Sequence, residues 1–192
     1  MSSEAITASA SAGKLRYLFI TALVLALDQL TKYWVTTEYA EGDPGTDVIP
    51  GFFKINHTKN TGIAFGMLNN NNVRWLLVAI SVAAILIVIY YMMRTASTSR
   101  LLMWSLALLA AGIAGNLVDR IRLGSVIDFI LLYYKSYEWP VFNVADTAIT
   151  VGAALMAIEL FVAPQKEQAT TTGGGESSLT DSPKSEVQSP ES

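Results

Sequence analysis

The chain has no cysteine and only one histidine, His57, among its 192 residues. The missing thiols exclude disulfides, cysteine nucleophiles and thiolate metal sites. The lone imidazole excludes a metal centre built from several histidines of one chain. Charge is scarce too, at 15% Asp, Glu, Lys and Arg, where soluble domains carry roughly a quarter. A net charge of −3 leaves no basic footprint for nucleic acid. What fills the chain is apolar, with 52% hydrophobic residues and a mean hydropathy of +0.39. Composition therefore places it among membrane proteins. Any hydrolytic chemistry must rest on carboxylates, hydroxyls or lysine, and no cofactor or metal is implied.

Four apolar runs are long enough to cross a bilayer core, which takes about 20 helical residues. They are residues 15–35, 73–93, 101–121 and 141–163. At the start of the first, Lys14 and Arg16 precede the apolar stretch 17–27, as in a signal peptide, but no small-residue cleavage site follows. It runs on through Asp28 and Lys32, four apart on one helix face, to Tyr33 and Trp34 at headgroup level. Gly112 and Gly115 in the third run let helices approach closely. The runs do not match one another in polar placement, so an inverted-repeat transporter is not suggested.

Residues 1–13 and 164–192 are polar, with little to bury, and read as a disordered extension and a disordered tail flanking a membrane domain over 14–163. Between the first two runs, glycines and prolines punctuate β-forming stretches at Val48-Ile49 and residues 52–56. A small β-containing lobe is expected over about 44–68. The four asparagines at 69–72 read as a solvated turn, and His57 as an ordinary loop histidine.

Both termini share one side of a four-span chain. The short 94–100 link and the basic pair before the first span favour a cytoplasmic side for them. The Asn60 loop, the end of the third span and the start of the fourth then share the opposite face. There the polar residues converge: Asn116, Asp119, Arg120 and Asp128 close the third run, and Asn143 and Asp146 open the fourth. Ionisable groups in or beside a span are costly and point to function.

If the chain reverses between the last two spans, Asp128 and Asp146 can approach. Two close carboxylates do not both ionise easily, so one holds a proton and the other takes one from water. That is aspartic-protease chemistry. Asp28 with Lys32 reads as a structural ion pair, Asp119 and Arg120 as structural residues, and Glu159 as a snorkelling or paired side chain. Two other readings stand beside the enzyme: a small proton-coupled transporter with a carboxylate relay, and a helix-binding scaffold.

Four blocks in order, D-Q-L-T-K at 28–32, N-T-G-I-A-F at 60–65, G-N-L-V-D-R-I-R-L-G-S-V-I-D-F at 115–129 and F-N-V-A-D at 142–146, resemble the lipoprotein signal peptidases, the bacterial type II signal peptidases. The resemblance covers residues 15–163 and departs mildly at Ala111-Gly112, where a glycine pair is common. It implies an all-α integral membrane fold: a four-helix bundle with a small extracytoplasmic β-cradle and a short interfacial helix within 130–139. It implies an aspartic endopeptidase of the bacterial inner membrane, active near the outer face and probed by the cyclic peptide globomycin. The substrate would be a prolipoprotein, cut just before its diacylglyceryl-modified cysteine. The catalytic pair falls on Asp128 and Asp146, and substrate contacts fall on Asn60, Gly62, Asn116, Arg120 and Asn143. Asp28, Lys32 and Asp119 fall on supporting positions. The expected partners are the lipidated precursor and membrane lipids, with the enzyme a monomer.

Overall fold

A computed structural model describes residues 3–62, 71–94 and 99–172. It separates into two compact units, Met1–Ala157 and Ile158–Ser192. The first holds every element up to the first half of the last helix. Among the described residues there are four α-helices: α1 (Ser3–Glu38), α2 (Asn71–Arg94), α3 (Arg100–Leu123) and α4 (Val144–Thr172). The described residues also form four strands: β1 (Thr46–Ile49), β2 (Phe53–Asn60), β3 (Val126–Tyr134) and β4 (Tyr137–Glu138). Each helix contains a segment long and apolar enough to cross a membrane: Lys14–Glu38, Asn72–Arg94, Arg100–Leu123 and Val144–Val162.

The backbone of α1 is already helical from Ser3, inside the stretch expected to be unstructured. Alanines at 5, 8, 10 and 12 supply the helix propensity there. At the other end α4 continues to Thr172, while residues 173–192 of the expected tail lie outside the described residues. Of the four asparagines, Asn71 and Asn72 open α2 rather than forming a turn, and 69–70 lie outside the described residues.

The third helix is the centre of the bundle. Half of its most apolar window is buried inside the protein, against about a fifth in the others. Met103, Leu106, Ala107 and Ala110 of α3 pack with Tyr17 of α1 and Val88 and Met92 of α2. The remaining helix surfaces carry exposed Leu, Ile, Val and Phe, as lipid-facing surfaces must. Helix α4 comes close because α3 is small where they meet. A Cβ on Gly112 would run into the Ala145 carbonyl oxygen and lie 2.7 Å from Ile149. One on Gly152 would sit 3.0 Å from Leu109 and from the Ser105 carbonyl oxygen. Such contact replaces the hydrophobic drive that helices lack in lipid.

Across one end of the bundle lies an antiparallel sheet in the order β1-β2-β3-β4. The short interfacial helix expected within 130–139 is not formed, and that stretch is strand β3, a turn with Lys135 at φ 56°, and β4. The run V-I-D-F-I-L-L-Y-Y is β-branched and aromatic, and it suits a sheet better than a helix. Strand β2 offers it a partner edge, with Thr58 opposite Asp128 and Asn60 opposite Val126. Pairing there satisfies backbone groups that lipid could not. Asp128 therefore sits on a strand beneath the lobe, not on an extension of α3. His57 likewise lies on β2 rather than in a loop, buried, with Nδ1 2.9 Å from the Tyr39 carbonyl oxygen.

The step from α3 into β3 is made at Gly124. It adopts φ +79°, in the left-handed region, and its N–H reaches back to the Arg120 carbonyl oxygen. Glycine takes that conformation without Cβ strain. Arg74 of α2 completes the helix end by donating to the Arg120 and Ile121 carbonyl oxygens at 2.9 and 2.7 Å. A cation beside the last carbonyls also meets the negative end of the helix dipole. Nothing in the local sequence around Arg74 signals this contact.

Candidate active site

The site gathers on α4's first turn. Asn143 is the residue before the helix, and its Oδ1 accepts from the Asp146 N–H at 2.8 Å. Asp146 returns the bond, accepting from the Asn143 N–H at 3.3 Å. This reciprocal arrangement satisfies two N–H groups that a helix start leaves open. Asp146 thus has a structural duty in addition to any chemical one. Its other oxygen accepts from Asn116 Nδ2 of α3 at 2.7 Å.

Asn143 also reaches the second carboxylate. Its Nδ2 donates to Asp128 Oδ1 at 2.7 Å, with longer contacts to Asn116 Oδ1 and the Ile127 carbonyl oxygen. The other Asp128 oxygen accepts from Asn60 Nδ2 at 2.9 Å. Asn60 lies at the end of β2, and its Oδ1 accepts from the Gly62 N–H at 2.8 Å. Gly62 is at φ +83°, and a Cβ there would lie 2.5 Å from Leu77. The turn that aims Asn60 therefore requires glycine on two grounds.

Asp128 is 2% exposed. Burial, followed by the nearby charge of Asp146, pushes its carboxyl up from 3.8 to about 6, against the opposing pull of the Asn60 and Asn143 hydrogen bonds and Lys32. Asp146 is half-buried and borders a cavity of about 260 Å³ lined by Trp139, Phe142, Thr147, Thr150 and Val151. Arg120 donates to the Asn116 carbonyl oxygen at 3.3 Å, and its charge is within reach of Asp146 and Asp128. Its Nε is buried with no hydrogen-bond partner among the described residues.

Behind this layer lies a second cluster. Lys32 of α1 is 2% exposed, and its ammonium contacts Asp28 at 2.9 Å, Asp119 at 2.8 Å and Asn116 Oδ1 at 3.1 Å. Asp119 accepts from Lys32 and from the Ile127 N–H. Asp28 accepts from the Ala145 N–H at 2.9 Å, which bonds α1 to the start of α4. A Cβ on Gly115 would lie 2.5 Å from the Asp28 carboxylate, so glycine is what admits it. Gln29 binds Asp28, Asp119 and the Gly115 carbonyl oxygen. The cluster holds α1, α3, β3 and α4 together through fully used polar groups.

Of the residues the sequence pointed to, Asn60, Asn116, Asn143, Asp128 and Asp146 lie in one hydrogen-bonded chain, with Gly62 and Arg120 at its rim. Asp28, Lys32 and Asp119 form the layer beneath. Four membrane-length helices, a sheet over one end and two carboxylates bridged by one asparagine define a multi-pass membrane protein with a carboxylate site at one end.

The comparisons give that class a family. The description of Signal peptidase (SPase) II matches residues 20–162. The lipoprotein signal peptidase of Solibacter usitatus (strain Ellin6076) is 41% identical over 153 residues, covering 78% of this chain and 92% of that one. The lipoprotein signal peptidase of Symbiobacterium thermophilum is 39% identical over 149 residues, covering 78% and 96%. A solved bacterial membrane enzyme structure, obtained by the in meso method at 2.3 Å, is 30% identical with a TM-score of 0.69, covering 86% of this chain and 94% of its own. A second, at 1.9 Å, is 32% identical with the same TM-score. The chain belongs to the signal peptidase II family.

Proposed function

We propose that the chain is an aspartic endopeptidase that removes the signal peptide from diacylglyceryl-modified prolipoproteins, cutting before the lipidated cysteine. The observation that carries this is the bridge made by Asn143, which hydrogen-bonds Asp128 and Asp146 at once. Two carboxyl groups of different environment, both hydrogen-bonded to one residue, support two-carboxyl hydrolysis.

Asp128, buried and with its carboxyl raised to about 6, serves as the acid. Asp146, at the positive end of α4 and beside an open cavity, serves as the base. Asp146 takes a proton from water as the water oxygen attacks the scissile carbonyl carbon. Asp128 gives its proton to the carbonyl oxygen, forming a tetrahedral diol. On collapse, Asp146 hands its proton to the leaving nitrogen, and Asp128 recovers one from the diol. The pair then stands as it began.

Asn60, Gly62, Asn116, Arg120 and Asn143 hold the extended substrate backbone. The Arg120 Nε, without a partner among the described residues, supports this, because a buried donor is costly until a substrate carbonyl meets it. A lipid-bearing precursor fits a site at the end of a bundle whose outer surfaces are apolar. The enzyme lies in the inner membrane with both termini cytoplasmic and the sheet on the outer face. It acts as a monomer and is a target for globomycin.

Incubating the purified protein with a lipidated and an unlipidated precursor peptide tests the substrate class. Cleavage of the lipidated peptide alone is expected. Equal cleavage of both would overturn the assignment.

A further inference from the structure

Lys32 lies one layer behind the carboxylates and touches neither of them. Its ammonium has three N–H groups and no acceptor. Three oxygens take them: Asp28 Oδ2, Asp119 Oδ2 and Asn116 Oδ1. Whatever Asn116 turns toward Lys32 must therefore be its oxygen. An Asn side chain has one oxygen and one NH₂ on opposite arms, so its NH₂ is forced the other way. There it donates to Asp146 Oδ1 at 2.7 Å. The opposite amide orientation would set an NH₂ against an ammonium and an oxygen against a carboxylate, which are two repulsions in a buried place. Asn143 Nδ2 adds a weaker vote for the same orientation from 3.2 Å.

From this geometry we infer that Lys32 is a positioning residue: it fixes the amide of Asn116 so that Asp146 always meets an N–H. This rests on the reading of Asp146 as the base. The bond holds one Asp146 oxygen in place and leaves the carboxylate aimed at the water. Charged groups along this hydrogen-bonded chain are Asp28 and Lys32 on α1, Asp119 and Arg120 on α3, Asp128 on β3 and Asp146 on α4, while Lys59 and Arg122 line a cavity with Lys32 and Asp119. Among the described residues, Lys32 is the charged group that contacts the oxygen side of Asn116.

The test is a double-mutant cycle between Lys32→Met and Asn116→Ala, with kcat and KM measured on a lipidated precursor. Lys32→Met alone leaves Asp28 and Asp119 buried without their cation and can fail to fold. The cycle is therefore run in an Asp119→Asn background. There the Asp28, residue 119 and Lys32→Met cluster carries the same formal charge of −1 as the native cluster of two acids and one lysine. Melting curves in detergent confirm that each variant is folded.

Lys32→Met is expected to lower kcat about tenfold or more, with KM within about twofold, the size of one charge-assisted hydrogen bond. Once Asn116 is alanine, the same change is expected to have less than a twofold effect. An equal fall in both backgrounds would mean that Lys32 acts by another route, and no fall in the first would mean that it does not act. Asp146→Asn is assayed alongside. If that variant still cleaves, the base assignment has failed first, and the role of Lys32 falls with it.

Discussion

Asn143 and Asp128 are joined by a 2.7 Å hydrogen bond, made by a residue whose main task, judged locally, is to start a helix. The same side chain accepts from the Asp146 N–H, so the cap of α4 and the placement of both carboxylates are one structure. The helix cap is what makes the spacing of the pair reproducible.

Asn143→Ala should separate the two duties. Losing the cap costs about 0.5–2 kcal/mol of stability. Losing the bond to Asp128 should lower kcat by about 10- to 100-fold, the range for a hydrogen bond to a charged group. Asn143→Asp retains an acceptor for the cap but adds a third carboxylate and removes the donor. Buried beside Asp128 and Asp146, that third carboxylate should make it melt below Asn143→Ala and cleave no better. Thermal unfolding and steady-state kinetics on both variants check this.

The Asp128 carboxyl should titrate with a midpoint of about 6, readable by carbon NMR of labelled aspartate. Asp146→Asn removes a neighbouring negative charge and should lower the midpoint, while Asn60→Ala removes a hydrogen bond to the ionised form and should raise it. The sign for stability follows from linkage. The folded value lies above the unfolded one, so the folded chain holds this proton more tightly. The stabilisation is full below about 4, declines as pH rises and is lost above about 6. Asp128→Asn should flatten that part of the melting profile.

Gly112→Ala places a methyl group against the Ala145 carbonyl oxygen and Ile149. It should cost about 1–3 kcal/mol as overpacking. Because Ala145 precedes Asp146 and its N–H is held by Asp28, activity should fall with stability. Gly152→Ala meets its neighbours at 3.0 Å, farther from the carboxylates, and should cost stability with a smaller loss of kcat. Melting and kinetics on the pair of variants compare the two.

Gly62→Ala forces a side chain into the left-handed region at φ +83° and against Leu77. About 1–2 kcal/mol of local strain is expected. Since the Gly62 N–H orients Asn60, which in turn holds Asp128, kcat should drop even where global melting barely moves. Assaying cleavage beside unfolding in the same detergent checks it.

Much of this was readable before any coordinates. Long apolar runs broken by few charges mark spans, because lipid allows only helices there or closed barrels. Asp128 and Asp146 stood out because ionisable groups beside such runs are costly. Strand β3 was harder to read. V-I-D-F-I-L-L-Y-Y is a short apolar run without period, and such a run does not distinguish strand from buried helix. Its partner edge on β2 lies far away in sequence, as does the link from Lys32 to Asp119 between α1 and α3. Arg74 is the clearest miss: an arginine opening an apolar helix looks like an interfacial anchor, yet it caps a different helix.

The most direct test is cleavage of a lipidated precursor by purified Asp128→Asn and Asp146→Asn variants, each shown by its melting curve to be folded. The account predicts that each loses on the order of 10²–10⁴-fold in kcat, the share carried by a positioned acid or base. If either variant cuts within about tenfold of the parent, the carboxylate pair is not what breaks the bond.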